Sequence, residues 1–292
     1  MSRTNAYVKN IAAMLIFGSI GIFVQAIPLR SSEIVAVRTI LGSLFLCAIL
    51  VIQRRKPDLV RVKKHLGMLL LSGVVLGSNW MFLFSAYQYT SVSVATLLYY
   101  CAPVIVLLLS PILFREKLTW SKFLGIAAAV IGMVLVNGTQ TGGADPGRGL
   151  IYGLLAAVFY AGLILLNKRI TDVPAVEKTL VQMLAAAVVM SAYAVLTHTG
   201  SWYLPQGTGL FALLIIGFVH TGIAYLLYIS SMSELSGQTI ALSSYIDPAS
   251  ALLFSAVFLQ EQMTVIQLLG AMLILGGSAF GELFDRQGMS CG

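Results

Sequence analysis

Long apolar runs alternate with short polar loops along the chain. A helix needs roughly 20 residues to cross the hydrocarbon layer of a bilayer, which is about 30 Å thick. Ten runs come close to that length, and they lie at residues 7–27, 33–52, 66–89, 92–114, 119–137, 149–166, 179–196, 209–229, 239–259 and 263–282. The pattern therefore predicts ten transmembrane helices, which we call spans one to ten.

The composition agrees with a chain that lies mostly in lipid. Of 292 residues, 58% are hydrophobic and only 10% are charged, and the mean hydropathy is +0.91. Soluble domains carry about 25% charged residues. The three cysteines, Cys47, Cys101 and Cys291, are scattered and predict neither a disulfide framework nor a metal site. We expect an all-α integral membrane protein, with the lipid bilayer as its partner and no cofactor or metal.

The basic residues indicate how the chain is oriented. Of the 18 Lys and Arg residues, fifteen fall in the loops, tails and span ends of one side, two lie on the other side, and Arg38 lies deeper within span two. Basic loops stay in the cytoplasm, so the distribution predicts a plasma-membrane protein with both termini cytoplasmic. Because topology explains the net charge of +7, nucleic acid is not expected as a partner.

The two halves of the chain resemble each other. A shift of 145 residues places Tyr100 on Tyr245 and Pro103 on Pro248. Further along, the same shift aligns Glu116 with Glu261, Thr119 with Thr264, Gly125 with Gly270, and Gly132 with Gly277. The chain is therefore predicted to contain an internal duplication.

The duplication predicts an inverted architecture. Residues 1–138 and 149–282 each hold five spans, an odd number, so the second copy must enter the membrane from the opposite side. Residues 139–148 then form an extracellular linker. Inverted repeats suit a protein whose site opens to each face of the membrane in turn.

These features resemble the EamA family of the drug/metabolite transporter superfamily. The resemblance rests on the five-plus-five spans, a proline in spans four and nine, and the Glu-x-x-Thr-x(5)-Gly-x(6)-Gly pattern that enters spans five and ten. It implies a central cavity lined mainly by spans one, three, four, six, eight and nine, with five and ten at the periphery. It does not imply a particular substrate.

Asp247 is the strongest candidate for chemistry. A carboxylate in mid-span costs about 2.5–3.5 kcal/mol on insertion scales, which favours a functional role. It is predicted to pair with a cationic substrate or to carry a proton. Alternatively, it accepts hydrogen bonds from backbone groups freed near Pro248. Its counterpart in the first repeat is Ala102.

His220 lies near the middle of span eight. Because histidine titrates near neutral pH, it is predicted to relay protons with Asp247. The alternative is a neutral imidazole hydrogen-bonded to Thr221 or to a neighbouring helix.

Polar and aromatic side chains in the spans complete the predicted substrate site. Aromatic rings can bind a cation with about 0.5–2 kcal/mol each, although such rings more often serve packing. The predicted substrate-binding residues are Asp247, His220, Asn79, Trp80, Tyr99, Tyr100, Tyr225 and Tyr245.

A second set of residues is predicted to have structural or gating roles. Arg38 can extend to the headgroups or pair with Glu33, and the glycines of spans five and ten permit close helix contact and a possible homodimer there. The set contains Pro103, Pro248, Arg38, Gln182, Glu116 and Glu261.

The sequence contains no phosphate-binding loop, metal-ligand cluster or nucleophile elbow. We therefore expect no enzyme and no ATP-driven pump. The prediction is a secondary transporter of a small polar metabolite, cationic or zwitterionic, that works by alternating access and can be coupled to protons. Export and uptake both fit. An intramembrane enzyme acting on a lipid-borne group and a passive channel are the alternatives.

Overall fold

A computed structural model describes most of the chain. The described residues are 3–54, 57–89, 95, 98–115, 119–137, 145–200, 202–258 and 265–289. Within these ranges the secondary structure is helical and no strand is found. The helices of the first half are α1 (Arg3–Gly18), α2 (Ile20–Gln25), α3 (Ser31–Ile52), α4 (Leu59–Lys64), α5 (Leu66–Tyr89), α6 (Ala102–Phe114) and α7 (Trp120–Asn137).

The second half continues the helical pattern. Its helices are α8 (Pro146–Arg169), α9 (Ala175–Thr197), α10 (Gly207–Ile215), a π-helix (Ile216–Ala224), α11 (Tyr225–Met232), α12 (Gly237–Ser243), α13 (Ile246–Phe258) and α14 (Val265–Met289). The π-helix lies in the middle of predicted span eight, between α10 and α11.

Six helical stretches are long and apolar enough to cross a membrane. They are Thr4–Val24, Ser31–Ile52, Leu66–Ala86, Gly147–Arg169, Ala175–Thr197 and Gly207–Met232. They match predicted spans one, two, three, six, seven and eight. Shorter apolar stretches at Ala102–Phe114, Trp120–Leu135 and Leu268–Gly277 coincide with spans four, five and ten, and span nine coincides with α12 and α13. The all-helical membrane class is thus confirmed. The count of ten stays a prediction.

The two prolines at equivalent positions of the repeats each lie at the start of a helix. Pro103 lies in the first turn of α6, and Pro248 lies in the first turn of α13. The first N–H groups of a helix have no partner within it, so proline costs no helical hydrogen bond there. Predicted span nine is consequently broken in two, since α12 ends at Ser243 and α13 begins at Ile246.

Glycines hold α7 against α14. A Cβ atom added at Gly125 would lie 2.6 Å from the carbonyl oxygen of Gly277, and one at Gly132 would lie 2.5 Å from that of Gly270. Residue numbers rise along α7 as they fall along α14, so the two helices are antiparallel. The glycines therefore pack within one chain. A homodimer through spans five and ten stays a prediction, and it would have to use other faces of these helices.

Another glycine contact between the halves occurs twice. In one case the glycine belongs to the first half, and in the other it belongs to the second half. A Cβ atom added at Gly77 would lie 3.2 Å from the Met190 side chain, and one at Gly222 would lie 2.6 Å from that of Phe45. The 145-residue shift maps Gly77 onto Gly222 and Phe45 onto Met190. The packing of α5 on α9 thus has its counterpart in the packing of the π-helix on α3.

Polar contacts tie the halves together at both ends of the bundle. At one end, Glu33 Oε1 lies 2.8 Å from Nδ1 of His198. At the other end, Asp172 lies 2.8 Å from His65 Nε2 and 3.2 Å from Lys64 Nζ. The hydrogen bond from His65, with that from Lys64, holds the pKa of the Asp172 carboxyl below its ordinary value.

Alanine substitutions test the glycine contact between α7 and α14. We expect Gly125→Ala and Gly277→Ala each to lower the free energy of unfolding by about 1–3 kcal/mol, because the added methyl group meets backbone atoms that cannot yield easily. Gly276→Ala is the matched control, since a Cβ atom there meets nothing within 4 Å. Thermal unfolding in detergent provides the measurement. Equal midpoints for all three variants would contradict the close packing.

Candidate functional site

Tyr160 connects three elements of the second half. Its hydroxyl lies 3.1 Å from the Tyr228 hydroxyl of α11 and 3.1 Å from Ser244 Oγ, which follows α12. Tyr160 and Tyr228 are buried, with 8% and 2% of their surface exposed. Since a buried hydroxyl needs partners, these contacts fix Tyr160 of α8 in place.

Tyr99 and Asn79 extend this cluster to the first half. The Tyr99 ring stacks on the Tyr160 ring at a centroid distance of 4.9 Å and an interplanar angle of 7°. Its hydroxyl lies 3.5 Å from Asn79 Oδ1, while Asn79 Nδ2 donates to the carbonyl oxygen of Ala156 at 2.8 Å. The Asn79 amide thereby joins α5 to α8 and orients Tyr99.

Tyr100 and Tyr245, which are repeat equivalents, meet each other. Their ring centroids are 6.0 Å apart, and the Tyr245 hydroxyl donates to the carbonyl oxygen of Tyr100 at 3.2 Å. Tyr245 is fully buried. Its hydroxyl is occupied by the backbone, so in this structure Tyr245 supports the position of Tyr100.

Asp247 faces this group of tyrosines. The Tyr100 hydroxyl is a hydrogen-bond partner of its carboxylate, and Tyr160 lies within electrostatic reach. Both tyrosines are interior residues, and Asp247 itself is only partly exposed. The carboxylate is therefore directed toward the protein interior and away from the acyl chains.

Arg38 lies at a different part of the same cluster. Its Nε donates to Thr221 Oγ1 at 2.8 Å, and its guanidinium carbon lies 4.1 Å from the centroid of the Trp80 ring. Trp80 in turn meets Tyr225 edge-on at 6.0 Å. Arg38 is 2% exposed and therefore points inward. Glu33, its predicted partner, contacts His198 instead.

His220 lies on the Arg38 side of the cluster. Its Nε2 is 3.0 Å from Ser19 Oγ, its Nδ1 is 3.4 Å from the carbonyl oxygen of Ile215, and its ring meets Phe23 edge-on. No hydrogen bond or ion pair between described residues joins His220 to Asp247. The structure thus shows no direct hydrogen bond by which the two predicted proton carriers could exchange a proton.

The remaining predicted residues lie elsewhere. Gln182 Nε2 donates to Ser72 Oγ and to Asn167 Oδ1, each at 2.7 Å, in a buried network that joins α5, α8 and α9. Glu116 and Glu261 lie outside the residues that the structure describes.

A cavity of about 200 Å³ lies near the start of α3, close to Trp80, the residue under the Arg38 guanidinium. Met81 and Phe84 of α5 line it and pack with Trp80 in one apolar cluster. Ser31, two helical turns before Arg38 on α3, also lines it. The cavity therefore opens at the end of the bundle where α3 begins.

Sequence reasoning missed Tyr160, Tyr228 and Ser244 as members of the cluster. One signal was present for Tyr160, because a shift of 143 residues aligns residues 13–18 of span one with residues 156–161 of span six and places Phe17 opposite Tyr160. Tyr228 and Ser244 carried no comparable pattern.

The apolar helices and the buried polar cluster at their centre define a multi-pass membrane protein. The profile of the EamA-like transporter family matches residues 5–138 and again residues 147–280. The chain belongs to the EamA-like transporter family, as the motifs of its fourth, fifth, ninth and tenth spans predicted.

Relatives and a solved structure agree with this assignment. An uncharacterized transporter, YxxF of Bacillus subtilis, is 33% identical over 98% of this chain and 92% of its own length. A probable amino-acid metabolite efflux pump of Salmonella typhimurium is 28% identical over 74% of this chain and 77% of its own. A solved structure described only as a crystal structure of a protein has a TM-score of 0.83 at 20% identity, covering 98% of this chain and 100% of that one. The last similarity shows the fold.

Removal of one hydroxyl tests the tyrosine cluster. We expect Tyr160→Phe to lower the free energy of unfolding by about 1–3 kcal/mol, because Tyr228 and Ser244 lose a buried hydrogen-bond partner. Tyr203→Phe is the control, since Tyr203 is 56% exposed. Thermal unfolding in detergent compares the two. A stability of Tyr160→Phe equal to that of the control would show that the two contacts do not stabilise the fold.

Proposed function

We propose that the protein is a secondary transporter that moves a small polar metabolite, cationic or zwitterionic, across the plasma membrane by alternating access. The observation that carries the proposal is the placement of Asp247, an acid in the middle of an apolar stretch, against Tyr100 of the other half. An ionisable group at such depth marks a substrate or proton pathway.

The proposed architecture is ten transmembrane helices arranged as two inverted five-helix repeats around a central cavity. Three observations support it. The family profile matches the chain twice, α7 and α14 pack antiparallel through equivalent glycines, and the contact of Gly77 with Met190 recurs between Gly222 and Phe45. Two such halves can exchange conformations, which opens the site to each face in turn.

We infer that transport runs outward and is coupled to protons at Asp247. Relatives in Salmonella typhimurium and Escherichia coli are named probable amino-acid metabolite efflux pumps, which supports export. A single carboxylate binds either a proton or a cationic group, so an inward proton can displace an outward-bound substrate. No hydrogen bond or ion pair between described residues joins His220 to Asp247, and we therefore assign the exchange to Asp247 alone.

Loss of the carboxylate charge tests this role. Asp247→Asn keeps the size of the side chain and an oxygen that can accept from Tyr100, but it can neither ionise nor carry the exchanged proton. We expect substrate flux driven by an imposed pH gradient in proteoliposomes to fall at least tenfold. Glu234→Gln, at an exposed position in the turn after α11, is the control and retains flux. Unchanged flux and pH dependence in Asp247→Asn would refute the assignment.

Orientation can be measured with single cysteines in a background without Cys47, Cys101 and Cys291. Lys63 and Gln206 are both exposed and lie at opposite ends of the bundle. We expect a membrane-impermeant thiol reagent to label Gln206→Cys in intact cells and to label Lys63→Cys only after lysis. The reverse pattern would overturn the cytoplasmic placement of the termini.

A further inference from the structure

The guanidinium of Arg38 is incompletely paired. With the described residues it makes one side-chain hydrogen bond, from Nε to Thr221. Neither terminal nitrogen donates to a protein acceptor there, and no described carboxylate forms an ion pair with it. Because Arg38 is only 2% exposed, this pairing leaves a buried positive charge whose cost is high until an anion arrives.

A second buried group near Arg38 also lacks an acceptor. The Tyr225 hydroxyl is buried and makes no hydrogen bond with a described residue. It lies within electrostatic reach of the Arg38 guanidinium, and the two side chains contact the same Trp80 ring. An unpaired hydroxyl at such a place costs about 1–3 kcal/mol. The terminal N–H groups of Arg38 and the hydroxyl of Tyr225 thus both lack a hydrogen-bond acceptor among the described residues.

We propose that Arg38 and Tyr225 bind the carboxylate of the transported molecule. A carboxylate can accept two parallel N–H bonds from the guanidinium fork, and its remaining lone pairs can accept from the Tyr225 hydroxyl. Both donors noted above would then be satisfied by one ligand group.

The carboxylate subsite narrows the substrate class. Tyr99 lies within electrostatic reach of Arg38, and its ring contacts Tyr100, the partner of Asp247. The two charged side chains therefore flank one group of tyrosines. If Asp247 takes an ammonium group, a step that rests on the proposed function, the substrate is an amino acid or a related zwitterion. A plain amine would leave Arg38 unpaired, so the site selects against it.

Matched ligands test the subsite by binding alone. The purified protein is titrated with α- and ω-amino acids and with the amines that lack their carboxyl group, and dissociation constants are taken from thermal shifts. We expect amino acids to bind the wild type at least tenfold more tightly than the matched amines. Arg38→Gln should abolish this preference by weakening only the amino acids. Tyr225→Phe should reduce the preference less.

Two further variants keep the result interpretable. Arg38→Lys retains the charge but loses the planar fork, so it should keep a reduced preference and serves if Arg38→Gln does not fold. Arg148→Gln removes an exposed arginine that pairs with Asp145, and it should keep the wild-type preference.

The outcomes separate the two proposals. The carboxylate subsite is overturned if no amino acid binds the wild type, if amines bind as tightly, or if Arg38→Gln or Arg38→Lys keeps the full preference. Binding of amino acids through Arg38 without counterflow in proteoliposomes would leave the subsite standing and refute transport. Amino-acid flux in proteoliposomes together with a full preference in Arg38→Gln would support transport and refute the carboxylate subsite.

Discussion

The structure depends on one constraint of the bilayer, which is that polar groups in its hydrocarbon layer must find partners within the protein. At the break between α12 and α13, the backbone groups are paired locally, since the N–H groups of Ser244 and Tyr245 donate to the carbonyl oxygens of Ile240 and Leu242. The same break also supplies a partner to the chain that enters α6, because the Tyr245 hydroxyl donates to the carbonyl oxygen of Tyr100 at 3.2 Å. The two interrupted segments therefore have to lie together in the interior, and the helices around them shield them from lipid.

Tyr100 and Tyr245 show that the two halves of the duplicated scaffold differ in chemistry at one position. Tyr100 and Tyr245 are equivalent, but their hydroxyls have different partners. The hydroxyl of Tyr100 meets the Asp247 carboxylate, whereas Ala102 stands at the equivalent position in the first half and offers Tyr245 no acid. A second carboxylate at Ala102 would place like charges close together and disfavour their joint ionisation. The duplicated scaffold thus presents a single carboxylate, that of Asp247, to its group of tyrosines.

Sequence patterns predicted what depends on length and periodicity. The apolar runs showed the class, and the repeated glycines showed that α7 and α14 each have a face that permits close contact, although not that these two faces meet within one chain. They did not predict partners across helices, because spacing assigns a residue to a face but does not show how the helix is rotated against its neighbours. Arg38 and Gln182, at corresponding depths of their spans, show this limit. One contacts Thr221 and Trp80, and the other joins a buried amide network.

The π-helix explains why the position of Arg38 in particular could not be predicted. In an α-helix the Thr221 hydroxyl would reach a carbonyl four residues back, but here it donates to Ile216, five residues back, at 2.8 Å. The wider turn changes the direction of Thr221, whose oxygen then accepts from Arg38. Close approach is also required, because a Cβ atom at Gly42 would lie 2.8 Å from Thr221 Cγ2. A local change in helix type and one missing side chain on α3 together hold the guanidinium over Trp80 and leave its outer nitrogens available.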